Sequence, residues 1–354
     1  MRRKILTILG TRPEIIRLSR IIPRLDHACE HRVLHTGQNY DPQLNDIFFQ
    51  ELELRRPNHV LDSRGSLAEQ LSATFVGVEK YLKEFDPDAV LVLGDTNSGL
   101  SAVICERLGY PVFHMEAGNR CYDDLVPEEK NRRIIDHVST VNLPYTELSR
   151  QNLLREGLGN DRILVTGNPI REVLDYYSSA IQHSNILKQL DLTPGGYVVA
   201  TAHRAENVDH ADRLENIMQA LEIVAQQYPV IFSCHPRTQQ RLTRALHPNI
   251  RILKPQGFFD WARLERDSKL AITDSGTVQE EMCLFQKPTI TTRQTTERPE
   301  TVHCGSNIVA GLDRDRIVAC FDQARNLHPW QIPMEYKQSN VSNTITNILM
   351  GNYV

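Results

Sequence analysis

Ala89-Val90-Leu91-Val92-Leu93-Gly94-Asp95-Thr96-Asn97-Ser98 reads as a buried strand that ends in a glycine and a carboxylate and then opens a helix. An apolar run without alternation is what a strand covered on both faces of a parallel sheet requires. Outward from it, short β-branched runs alternate with longer amphipathic stretches. Strands are expected at 4–9, 32–36, 89–93, 112–115, 140–143 and 163–166, with helices at 13–25, 67–85 and 100–108 between them. Pro194-Gly195-Gly196 interrupts the chain, and the alternation restarts with strands at 197–201, 230–233, 250–253, 270–273 and 289–291. This is the signature of βαβ units and parallel sheets. The fold class is therefore α/β, with two doubly wound domains at 1–170 and 171–335. A C-terminal helix in 336–354 is expected to cross back to the first domain.

A length of 354 residues suits two such domains. Hydrophobic residues make up 40% and charged residues 24%, a globular and not a disordered balance. Forty basic against 44 acidic side chains leave a formal charge of −4, which argues against a nucleic-acid partner. No apolar run approaches the roughly 18 residues of a membrane span. The first residues enter a strand without a signal-peptide pattern, so a cytoplasmic location is expected. Seven scattered cysteines without a C-x-x-C argue against a disulfide framework or structural zinc, and fit a reducing compartment.

Doubly wound domains hold ligands beyond the carboxyl ends of their strands, so the residues just after each strand are the candidates for chemistry, in a cleft between the domains. Gly10-Thr11-Arg12-Pro13-Glu14 sets an arginine at a helix N-terminus, a place for anions, but lacks the G-x-G-x-x-G and Walker spacings. Asp95 and Glu116 each follow an apolar strand; either could simply cap a helix, whereas two on neighbouring strands suggest a site. In Pro127-Glu128-Glu129-Lys130-Asn131-Arg132, Glu128 and Arg132 share one helical face, as a solvated ion pair or as a carboxylate oriented by its arginine. Crowded carboxylates suit acid–base work, because each raises the pKa of another.

In the second half, His203-Arg204 and His235-Pro236-Arg237 leave strands with groups that donate to phosphate or move protons. Ser275 and Gly276 open a helix whose N-terminus suits a pyrophosphate, Glu281 one turn on suits ribose hydroxyls, and Arg298 adds a further cation. No metal-ligand spacing is present. The residues by themselves point to a nucleotide-sugar enzyme.

Taken together and in order, Gly10-Thr11-Arg12-Pro13-Glu14, Gly94-Asp95-Thr96, Met115-Glu116-Ala117-Gly118, Pro127 to Arg132, Thr201-Ala202-His203-Arg204, Asp274-Ser275-Gly276 and Thr295 to Glu300 resemble the non-hydrolysing UDP-N-acetylglucosamine 2-epimerase family. The resemblance implies two Rossmann-like domains of GT-B type, no cofactor, no metal and a homodimer. It implies inversion at C2 of a UDP-sugar by elimination of UDP and its re-addition. Asp95, Glu116 and Glu128 match the acid–base carboxylates. Arg12, Arg132, His203 and Ser275 match the UDP and phosphate contacts, and Gly276 and Glu281 the nucleotide site; Arg17, counted with the phosphate-binding cations, stands where the family usually has lysine. Asn119 to Val126, where enzymes acting on UDP-N-acetylglucosamine usually continue Glu-Ala-Gly with Leu-Arg, and Gln38-Asn39-Tyr40 differ from the D-sugar pattern and resemble the branch acting on UDP-2-acetamido-2,6-dideoxy-L-hexoses, which serves UDP-N-acetyl-L-fucosamine and surface polysaccharides. A UDP-N-acetylglucosamine/UDP-N-acetylmannosamine epimerase and a GT-B glycosyltransferase are the alternatives. The transferase needs one base and an acceptor groove, where this chain offers three carboxylates.

Overall fold

All five residues of β4 (Ala89–Leu93) are buried, so both faces of its sheet are covered. The computed structural model describes residues 2–38, 42–234, 236–242, 245–327 and 329–353. In it β4 lies in a parallel sheet with β1 (Lys4–Leu9), β2 (Glu30–His35), β3 (His59–Val60), β5 (Val112–Met115) and β6 (Val141–Leu143), ordered β3-β2-β1-β4-β5-β6. The second parallel sheet comprises β7 (Val198–Thr201), β8 (Val230–Ser233), β9 (Ile250–Leu253), β10 (Ala271–Thr273), β11 (Thr289–Thr291) and β12 (Asn307–Val309), ordered β12-β11-β10-β7-β8-β9. Both orders are doubly wound. The chain reverses direction between β1 and β4 in one sheet and between β7 and β10 in the other, and loops diverge at such a reversal.

The chain divides into two compact units, one of Met1–Asp175 with Glu335–Val354 and one of Tyr176–Met334. Among the helices are α1 (Arg12–Leu18), α2 (Ile21–Ala28) and α3 (Pro127–Val138) in the first unit, α4 (Gly276–Leu284) and α5 (Pro299–His303) in the second, and α6 (Val341–Met350), which belongs again to the first. Ser342 of α6 accepts a hydrogen bond from Arg24 Nε of α2 at 2.6 Å and donates its backbone N–H to Glu172 at 2.8 Å. Each unit has its own core. Leu6, Ile8, Val90, Val92 and Ile135 pack in the first, and Val198, Ala200, Leu221, Phe232 and Ile272 in the second. No described helix is long and apolar enough to cross a membrane.

Three sequence expectations change. The helix expected at 13–25 is two helices, because Pro23 has no N–H to donate and its ring crowds the carbonyl of Ser19; the chain breaks at Ser19-Arg20. The strand expected at 163–166 reduces to a single bridge between Ile163 and Asn142. Leu164 and Thr166 donate to the carbonyls of Asn142 and Pro144, but Pro144 has no N–H to return, so the ladder stays one-sided. The short strands β3 and β12 were not expected.

One buried aspartate ties the ends of β4 and β5 to α3. His114 of β5 places Nδ1 2.8 Å from Asp136 Oδ1 of α3 and Nε2 2.8 Å from the carbonyl oxygen of Gly94, the residue before Asp95. The Gly118 N–H also donates to Asp136, and Arg120 Nη2 lies 2.7 Å from Asp136 Oδ2. Arg120 is shared with Glu156, at 2.8 and 2.5 Å. Gly118 has no alternative residue: at φ 77° a Cβ would stand 2.2 Å from the Ser149 carbonyl oxygen. Burial alone would raise the Asp136 carboxyl, but His114 and Arg120 outweigh it and hold it below the usual range. A lowered acid stabilises the fold above the unfolded value, near pH 4, and that contribution fades as pH falls below it. Asp136→Asn is expected to cost about 3–5 kcal/mol in urea unfolding at pH 7 and to flatten the acid side of the stability profile. A loss below about 1 kcal/mol would show that Glu156 alone satisfies Arg120.

Candidate active site

The turn after β1 is closed by its own glutamate. Thr11 caps α1, and Glu14 Oε2 accepts the N–H groups of Gly10 and Thr11 at 3.0 and 2.7 Å. Thr96 Oγ1 donates to the other oxygen of Glu14 at 3.2 Å, which joins the loop after β1 to the loop after β4 across the reversal. Burial raises the Glu14 carboxyl to about 7, against the donors from Thr11, Gly10 and Thr96. Arg12 is half-buried at the same edge, with its guanidinium 5.9 Å from the Phe48 ring centroid.

Asp95 is held by α3. Arg132 contacts Asp95 Oδ2 at 2.8 Å through Nε and at 2.6 Å through Nη2, so two charged donors converge on one carboxylate oxygen. Asn131 donates to the Asp95 carbonyl at 2.9 Å. Arg132 also reaches Glu129 at 3.0 Å, three residues back. Glu129 is fully buried and accepts the N–H groups of Cys121 and Tyr122, so it anchors the loop before α3. Glu128 lies in the first turn of α3, half-buried.

Glu116 follows β5 with φ 65°, a left-handed conformation that costs a residue with a Cβ. The turn aims its carboxylate at two partners: Arg17 Nε at 3.6 Å and Asn119 Nδ2 at 3.3 Å. Arg17 is 3% exposed, so the cation that sequence assigned to phosphate sits buried against a carboxylate. Asn119 accepts from Ser149 Oγ at 2.9 Å, which fixes which end of its amide faces Glu116. The beginning of the segment 119–126 is therefore interior, with Asn119 and Arg120 buried, whereas Tyr122 and Leu125 are exposed. Asp95 and Glu116 thus stand beyond the neighbouring strands β4 and β5 at the carboxyl edge of the first sheet, Arg132 holds Asp95, and Glu128 lies one turn before Arg132 on α3.

In the second unit the same edge is organised by Asp274, which follows β10. Its Oδ2 accepts the N–H groups of His203 and Arg204, each at 2.9 Å, and Asn207 Nδ2 at 3.1 Å. Its Oδ1 lies 3.0 Å from His203 Nδ1, so the half-exposed ring is oriented through one nitrogen. Burial works to raise this carboxyl, yet His203 and the two N–H donors hold it well below the usual range. Ser275 caps α4 and Gly276 begins it. A Cβ on Gly276 would stand 2.7 Å from Glu297 Oε1, so glycine is what lets the loop 293–298 approach. Arg298 is 4% exposed and its Nε is 2.5 Å from Glu280 Oε1, which joins α4 to α5. Glu281 meets a second carboxyl, Glu265. Burial, then the charge of Glu281, then a hydrogen bond to it, hold Glu265 well above the usual range. His235, Asn39, Tyr40 and Asp41 lie outside the described residues.

Sequence reasoning missed Asp136 and Glu265 and gave no role to Glu129 and Asn119, although both fall in quoted stretches; the Asp136 carboxylate acts through His114, Gly118 and Arg120, all distant in sequence. Among the described residues, no group of three or more His, Cys, Asp or Glu is arranged to hold a metal ion.

The family model described as UDP-N-acetylglucosamine 2-epimerase matches residues 24–350. A Methanocaldococcus jannaschii UDP-N-acetylglucosamine 2-epimerase is 39% identical over 330 residues, covering 89% of this chain and 90% of that protein. The Pseudomonas aeruginosa UDP-2,3-diacetamido-2,3-dideoxy-D-glucuronate 2-epimerase is 35% identical over 323 residues, covering 89% of this chain and 90% of that protein. Among solved structures, the M. jannaschii enzyme in complex with UDP-GlcNAc and UDP superposes with a TM-score of 0.93 at 37% identity, covering 98% of this chain and 99% of that one. Its two doubly wound sheets are thus those of the GT-B type, with two Rossmann-like domains. With a model and relatives matched along nearly its whole length, the chain belongs to the UDP-N-acetylglucosamine 2-epimerase family and is an isomerase of the UDP-sugar epimerase kind.

Proposed function

We propose that the chain inverts C2 of UDP-2-acetamido-2,6-dideoxy-L-talose to give UDP-N-acetyl-L-fucosamine, without net release of UDP. The observation that carries this reading is the contact of Asn119 with Glu116. Where the D-sugar pattern has leucine, this chain sets an amide against an acid–base candidate, and so changes the polarity beside the ring and not at the diphosphate. UDP-N-acetylglucosamine is the second reading, favoured by the name of the M. jannaschii relative.

In this reading the first unit supplies the acid–base groups and the second the nucleotide site. One carboxylate among Asp95, Glu116 and Glu128 removes the C2 proton as the C1–O bond to UDP breaks, leaving a 2-acetamidoglycal. UDP then re-adds at C1 while a second carboxyl delivers a proton to the opposite face of C2. Arg132 keeps Asp95 oriented, and Arg17 sets a cation beside Glu116. His203, Ser275 and Gly276 hold the diphosphate, with Arg12 and Arg298 adding positive charge, and Glu281 takes the ribose, its carboxylate steadied by the proton on Glu265. The enzyme works as a homodimer in the cytoplasm.

Proton NMR in deuterium oxide tests the reaction. Deuterium at C2 with UDP still attached is expected, and Asp95→Asn, Glu116→Gln and Glu128→Gln are each expected to lower kcat by about 10²–10⁴ while UDP still binds. Free UDP without epimer would indicate hydrolysis, and no exchange would indicate a transferase or a binding protein. Wild-type turnover in all three variants would remove the acid–base assignment.

Calorimetry with UDP alone tests the nucleotide site. His203→Ala and Ser275→Ala each remove a donor to a charged group, worth about 1.5–3 kcal/mol, so Kd is expected to rise roughly tenfold or more. Unchanged affinity in both would put the nucleotide elsewhere.

Substrate choice follows from the 6-position. A site shaped for a methyl leaves a 6-hydroxyl without a partner, at about 1–3 kcal/mol, or roughly 5- to 150-fold. The L-talose-configured 6-deoxy sugar is therefore expected to show the higher kcat/KM in a side-by-side assay with UDP-N-acetylglucosamine. Equal or better turnover of the latter would leave the epimerase and overturn the L-sugar assignment.

A further inference from the structure

Two of the seven cysteines stand sulfur to sulfur. Cys283 lies near the end of α4, fully buried, and Cys304 caps the C-terminus of α5, partly exposed, with their Sγ atoms 3.8 Å apart. Neighbouring contacts hold the two helices in this relation. Arg298 pairs with Glu280 at 2.5 Å, Thr296 donates to Gln279 at 2.6 Å, and Asn307 donates to Gln279 at 3.0 Å. Trp330 Nε1 donates to the Cys283 carbonyl at 3.2 Å. Cys304 Sγ lies 3.4 Å from both the Thr301 carbonyl and Ser306 Oγ.

The two thiols are unequal. The hydrogen bond from Cys283 brings Cys304 down to about 6, with burial acting against it. Burial holds Cys29 and Cys234 up at about 11. Cys304 is thus both the reachable thiol and the one rich in thiolate near neutral pH, and the buried Cys283 is in position to resolve it.

We infer that Cys283 and Cys304 form a reversible dithiol–disulfide couple, a redox modification site at the C-terminal ends of α4 and α5. The oxidant class is a hydroperoxide. The Cys304 thiolate attacks one peroxide oxygen, the O–O bond breaks, and the departing hydroxide takes a proton to become water. Cys283 then attacks the sulfur of the resulting sulfenic acid, the S–O bond breaks, and a second water leaves. Two thiols and one hydrogen peroxide become one disulfide and two waters, with two electrons passing from sulfur to oxygen. The sulfurs close from 3.8 Å to about 2 Å.

The experiment treats the reduced full-length chain with one equivalent of hydrogen peroxide, then counts thiols after unfolding and maps peptides. Titratable thiols are expected to fall from seven to five, with a Cys283–Cys304 linked peptide that dithiothreitol removes. Cys304→Ser is expected to abolish the loss of thiols. Cys283→Ser is expected to leave Cys304 as a sulfenic or sulfinic acid with no disulfide. Seven remaining thiols, a linkage elsewhere, or an intramolecular disulfide that persists in either variant would overturn the couple.

Discussion

A buried carboxylate with no water around it must find donors, and in each sheet of this chain one such group is satisfied by the backbone just beyond a strand. Asp136 collects His114, Gly118 and Arg120, and Asp274 collects His203, Arg204 and Asn207. Asp136 reaches from α3 to the segment that leaves β5, and Asp274 directly follows β10, so both act at the carboxyl edge of a doubly wound sheet. The arrangement explains how loops can present reactive side chains without wandering. Asp95 and Glu116 each sit within two residues of a peptide group that Asp136 fixes, directly or through His114. His203 is fixed by its backbone and its ring together.

Around those anchors the charges are assembled in pairs. Arg132 spans Asp95 and Glu129, Arg17 faces Glu116, and Arg298 faces Glu280. Separating a buried pair by removing one member strands the other. Asp95 and Glu116 are therefore each paired with a cation whose loss would disturb position as well as charge. Glu116 carries an added constraint, since its left-handed backbone holds only while the turn around it is intact.

Much of this was legible in the residues. The run Ala89 to Leu93 announced a two-sided sheet, and the candidates following β1, β4, β5, β7 and β10 do stand at the carboxyl edges of their sheets. Other parts were hidden for identifiable reasons. His59-Val60 makes a strand of two exposed residues, too short for any period to register. Residues 163–166 have strand composition, but a proline on the facing chain denies them a ladder. Glu128 and Glu129 are adjacent and chemically identical, and only the helix phase shows that Glu129 is the buried anchor. Asn119 and Arg120 read as loop, yet they point inward because Asp136 and Glu116 await them, and no local pattern encodes a partner sixteen residues away.

The return of α6 to the first unit has a consequence for the order of folding during synthesis. Ser342 meets Arg24, 318 residues earlier, and Glu172, 170 residues earlier. Domains tend to fold as they emerge, but here the first unit lacks one of its own helices until the second has been translated. The N-terminal sheet must wait, partly uncovered at α2, for the last stretch of the chain. The second unit, contiguous from Tyr176 to Met334, is free to complete itself first.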